Sequence, residues 1–107
     1  MADPPLSVQV GPHRYQVVMV PAAALVNAGC RGHITTDRLV IALDAEQAPT
    51  QLADTLLHEI VHALLANSDL DDDTEERACR ILGPGLLDVL RRNPQLVAYL
   101  TTPIDEA

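Results

Sequence analysis

At 107 residues, 48% of them hydrophobic, the chain has the size of one domain and enough apolar side chain to bury a modest core without staples. Seven arginines, no lysine and fifteen acids leave a net charge of -8, which argues against a nucleic-acid backbone or an anionic membrane as partner and favours a neutral or basic one. There is no Phe and no Trp, so the core must be aliphatic, with Tyr15 and Tyr99 as the only large rings. The first residues lack the basic-then-apolar order of an export signal. No apolar run approaches the ~18 residues of a membrane span, and the expected compartment is the cytoplasm. Cys30 and Cys79 stand far apart and read as two free thiols.

One domain over residues 1–107 is expected, with 1–5 and 102–107 loose. "LSVQV" and "RYQVVMV" are short β-branched runs divided by Gly11 and Pro12, a hairpin signal. Pro21 ends the second run, and "PAAALVNAG" reads as a short helix with its stop. "GHITTDRLVIALD" then offers two further strands, Gly32 to Thr35 and Arg38 to Leu43, for a small, mostly antiparallel sheet. From Pro49 the apolar residues recur at three and four, through Leu52, Leu56, Ile60 and Leu64, as a largely buried helix requires. An acidic stretch follows. "DTEERACRIL" opens a second helix with acids in its first turn, where the macrodipole favours them. Gly83-Pro84-Gly85 is expected to interrupt or sharply bend that helix. "LLDVLRRN" resumes the helical pattern, and "PQLVAYL" gives a last short helix.

The chemistry lies in "LLHEIVHALL". His58 and His62 stand one helical turn apart on one face, about 6 Å apart at Cβ, so both imidazoles can converge on one ion. Glu59 flanks that site, where a carboxylate can serve a reacting water without binding the metal. Burying two imidazoles and a carboxylate without partners would cost several kcal/mol, which weighs against a merely structural role. A third protein ligand is required, and the second helix can supply it. Glu75 lies on the face that runs through Ala78, Cys79, Leu82 and Leu86, the apolar stripe expected to meet the first helix. Glu76 lies a step round with Arg80 and Gly83, and Asp73 at the N-cap would give it a place in a capping box. Glu75 is the preferred third ligand, Glu76 the alternative, and an Asp of the 71–73 run the remaining one.

"LLHEIVHALL" followed closely by "EERACRILGPGLLDVLRRNP" resembles the minimal zincin-like metallopeptidases of the ImmA/IrrE type and their small phage-encoded relatives, over roughly residues 32 to 92. In that fold a short sheet precedes the His-Glu-x-x-His helix, and a second helix carries a glutamate three residues before an alanine, a spacing that Glu75 and Ala78 match. Cys79 stands where an Asn commonly follows that alanine. The resemblance implies an α+β zincin-like fold and a zinc peptidase acting on a peptide or protein, with His58, His62 and Glu75 as ligands and Glu59 as general base. Tyr99 and His33 are the candidate stabilisers of the oxyanion, and His13 is expected to be merely solvated. The strand from Arg38 to Leu43 is the expected edge for an extended peptide to add to by main-chain hydrogen bonds. Competing readings are a zinc-stabilised binding module without turnover, of phage or mobile-element origin, and an acidic decoy for a basic surface.

Overall fold

The computed structural model describes residues 3–25 and 30–103. It is α+β, with a mixed four-stranded sheet and three helices. Strands β1 (Ser7–Val10) and β2 (His13–Val20) form the expected hairpin, with Val10 opposite His13. Its two-residue turn needs a positive φ at its first position, and Gly11 supplies one at 56°. A short 3-10 turn at Ala22–Ala24 stands at the start of the helix expected from Pro21; residues 26–29 of that stretch lie outside the described residues.

Strands β3 (Gly32–Thr35) and β4 (Val40–Asp44) pair antiparallel, yet β4 also pairs parallel with β2, giving the order β1-β2-β4-β3. The expected edge strand is therefore central. Ile41 and Leu43 are fully buried and Asp44 nearly so, and a strand so enclosed belongs in the middle of a sheet, with the shorter β1 and β3 at its edges.

Helix α1 (Pro49–Leu65) starts with Pro at a position that requires no N–H donor. Its Leu52, Leu56, Ile60 and Ala63 cover the sheet face formed by Tyr15, Val17, Ile41 and Leu43. Leu64, expected on that stripe, is 64% exposed, and Ala63 takes its place. A polar tie sets the angle at which α1 leaves the sheet. Gln47 donates its amide to the carbonyls of Arg31 (3.0 Å) and Asp44 (3.1 Å) and accepts the Thr55 hydroxyl (2.8 Å). All of Gln47's groups are thus satisfied inside the fold, as burial demands.

Helix α2 (Asp72–Arg92) continues through Pro84 without a break, contrary to the interruption expected there. Gly83 belongs to the packing with α1 instead. A Cβ at that position would meet the Cα and backbone N of His58 at 3.0 and 3.1 Å. Only glycine lets the two helices approach this closely. Gly83→Ala gains helix propensity but drives a methyl into the α1 backbone, so a net loss of about 1–2 kcal/mol is expected in urea denaturation; equal or greater stability would show that the helices separate freely. A third helix, α3 (Pro94–Thr101), closes the described chain. No helix among the described residues is long and apolar enough to cross a membrane.

Candidate metal centre

The register of α2 decides which acid faces the histidines. Its N-cap is Asp71, whose side chain accepts the Thr74 N–H at 2.7 Å. Asp73 therefore caps nothing, and Glu76 is free of the capping box assigned to it from sequence. With Cys79 and Gly83 as its buried residues, α2 turns the line through Glu76, Cys79 and Gly83 inward.

Glu76 Oε1 consequently lies 2.9 Å from His58 Nε2 and 3.0 Å from His62 Nε2. These residues offer donor atoms that all fall within 4.8 Å of one another, a group able to hold a metal ion. Glu75, the preferred ligand on sequence grounds, sits elsewhere: its Oε2 is 2.7 Å from His62 Nδ1, the outer ring nitrogen. That contact has a chemical consequence. A carboxylate on Nδ1 holds a proton there and turns the Nε2 lone pair toward the ion, the outer-shell arrangement that orients metal-binding histidines. Asp71, Asp72 and Asp73 are exposed and outside the group.

The electrostatics of the cluster suit a cation. Burial lowers the pKa of His58. For His62, burial pulls the same way but is outweighed by hydrogen bonds to Glu75 and Glu76 and by the charges of Glu59 and Glu76, so its pKa is raised. Glu76, despite partial burial, is held below the usual carboxylate range by its contacts with both imidazoles. In the metal-free chain the two imidazole nitrogens and the carboxylate oxygen lie at hydrogen-bond distance from one another, and a divalent ion would displace any proton that they share. Cys79 lies buried behind the cluster. Desolvation, reinforced by Glu75, Glu76 and Glu59, pushes its thiol up to about 11, and its sulfur is not among the donor atoms that converge.

Glu59 is only 6% exposed and has no hydrogen-bond partner among the described residues. Desolvation raises its pKa from an ordinary 4.5 to about 7, with the neighbouring His62 opposing the rise and Glu76 adding to it. A raised carboxylate pKa means that the folded chain holds a proton that the unfolded chain has released. Stability in the metal-free state therefore falls as pH climbs from about 4.5 to about 7 on account of this group. Glu59→Gln, measured with chelator present, is expected to match the parent below that window and to exceed it by roughly 2–3 kcal/mol above. A constant difference across pH would remove the buried-carboxylate explanation.

Beside the cluster opens a cleft of about 420 Å³, walled by Arg31 and Gly32 next to the β3 edge and by Arg80 and Pro84 of α2, with His58 and Glu59 facing it. Gly32 is needed here as well, since a Cβ would collide with Thr55. The two candidate oxyanion stabilisers are not brought to this cleft. Tyr99 is 78% exposed on α3, and His33 alternates with Gly32 and Ile34, which face α1 and the core, so it points to the other side of the sheet. His13 is exposed in the hairpin, as expected. The cationic groups that border the cleft are Arg31, 3.6 Å from buried Asp44, and Arg80, 3.8 Å from Glu76. Neither carries a sequence signature, because both depend on how β3 and α2 are brought together.

The chain matches no protein-family model, no curated protein and no solved structure.

Proposed function

We propose that the chain is a minimal zincin-like metallopeptidase that uses His58, His62 and Glu76 to hold zinc and Glu59 to move protons. The observation that carries this reading is the convergence of two imidazole nitrogens and one carboxylate oxygen beside a largely buried glutamate that lines an open cleft. Two histidines and a glutamate are a donor set that zinc accepts, with a fourth position left for water or substrate. When bound, zinc supplies Lewis acidity that lowers the pKa of a water and polarises a scissile carbonyl.

The remaining work falls to the protein. Glu59, poised near neutrality, accepts a proton at its carboxylate and returns it to the departing amine. Glu75 fixes the tautomer and tilt of His62. An extended peptide is served by the open edge of β3, whose neighbours Arg31 and Gly32 border the cleft, rather than by the central β4. Arg80, at the α2 wall and 3.8 Å from Glu76, is a cationic group available to charge that develops on the carbonyl oxygen.

Zinc-loaded protein incubated with an unfolded protein substrate is expected to release peptides detectable by mass spectrometry, and excess chelator should stop the release. Tight zinc binding with every peptide bond intact would replace this reading with the non-catalytic, metal-stabilised module.

A further inference from the structure

We infer that Thr55 and Gln47 are positioning residues of the cleft, which fix the spacing between the β3 edge that receives a peptide and the turn of α1 that carries Glu59. The catalytic consequence rests on the peptidase reading; the geometry does not. Thr55 stands four residues before Glu59, so the two side chains leave α1 on one face, one turn apart, and both line the cleft. The Thr55 hydroxyl donates to Gln47 Oε1 at 2.8 Å, and the Gln47 amide donates to the carbonyls of Arg31 and Asp44 at 3.0 and 3.1 Å. Arg31 O also accepts the Asp44 N–H at 2.9 Å. One carbonyl thus belongs both to the pairing of β3 with β4 and to the link with α1.

The strand register places that link beside the residue a peptide would meet. In an antiparallel pair, residues that exchange hydrogen bonds with the partner strand alternate with residues whose N–H and C=O point away from it. Arg31 is bonded to Asp44, so Gly32, opposite Leu43, turns its N–H and C=O to the open side of β3. The carbonyl accepts the Cys30 thiol, and the N–H faces an incoming chain. Thr55 meets this same residue from the α1 side, since a Cβ on Gly32 would come within 2.6 Å of the Thr55 methyl. Methyl and hydroxyl of one threonine therefore hold the docking edge at two adjacent points. The strand needs such support, because it is four residues long and paired on one side only. Glu59 serves a water that must reach the peptide carbonyl, and a misplacement of about 1 Å between such groups costs on the order of 10²-fold in rate. Of the residues between the docking edge and Glu59, Thr55 touches the first and shares a helix face with the second.

Thr55→Val keeps the shape of the side chain and removes the hydroxyl. In the zinc-loaded full chain it is expected to lower kcat on a fluorescent peptide that the parent cleaves by about tenfold, with zinc affinity within about twofold of the parent's. Thr55→Ser, which restores the hydroxyl, should return kcat to within about threefold of the parent. Hydrogen exchange adds a readout that needs no turnover: the Asp44 amide should exchange at least about tenfold faster in Thr55→Val, while the amides of the β1–β2 pair keep the parent's rates. A kcat per zinc-loaded molecule that stays at the parent's level, a fall explained by lost zinc, or an unchanged Asp44 amide overturns the proposal. A parent that cleaves no peptide removes the peptidase reading itself, and the exchange comparison alone then upholds or overturns the link between Thr55 and the β3 edge.

Discussion

Glu76→Ala is expected to weaken zinc binding on the order of 10³-fold, since it removes one of three protein ligands from a site whose binding free energy is shared among them. Among the described residues the geometry leaves no substitute nearby: Glu75 is occupied on the far side of His62, and the buried Cys79 sulfur lies outside the group of converging donor atoms. Glu75→Ala should cost less, about 10–100-fold, because it loosens the orientation of His62 without removing a donor to the ion. Competition against a chromophoric chelator measures both constants on folded protein. The reverse order of effects would return the third-ligand role to Glu75 and imply that α2 rotates when metal binds.

Glu59→Gln should retain zinc at one equivalent and lose about 10²–10⁴-fold in kcat/KM. Glutamine keeps the shape and the polarity of the side chain but cannot take a proton from water, so the loss falls on the chemical step and leaves the metal site intact. The same substitution is expected to raise the stability of the metal-free chain above neutral pH, as the buried-carboxylate argument requires. An inactive variant that also unfolds would point to a structural glutamate, whereas a stabilised and inactive one points to a base held in place at a cost to the fold. Measuring turnover and urea stability on one preparation separates the two.

The part of the site legible in the sequence is the part that lies within one helix. His58, Glu59 and His62 are placed by helical spacing alone, and α1 delivers them without reference to the rest of the chain. Glu75 and Glu76 could not be told apart in that way, because their roles depend on the rotation of α2 against α1. Leu82 and Leu86 look like an inward stripe by hydropathy, yet they are exposed, and the inward line runs through Cys79 and Gly83. The reason is steric: Gly83 lets the α1 backbone approach closely, and that contact, invisible to a hydropathy pattern, sets the rotation. The same glycine lies in the Gly83-Pro84-Gly85 stretch that reads locally as a break.

The sheet divides in a similar manner. The β1–β2 hairpin and the β3–β4 pair follow from local turns and were legible. The parallel pairing of β2 with β4, which moves the accessible edge to β3, is a long-range choice made by the burial of Ile41 and Leu43. Gln47 and Thr55, which tie α1 to the β3 side of the cleft, carry no motif at all.

Isothermal titration of chelator-stripped protein with zinc tests the central claim most directly. One equivalent per chain, bound with release of protons and abolished in His58→Ala and His62→Ala, is the predicted result. Absence of saturable binding, or binding that survives both substitutions, would contradict the assignment of His58, His62 and Glu76 as a metal centre.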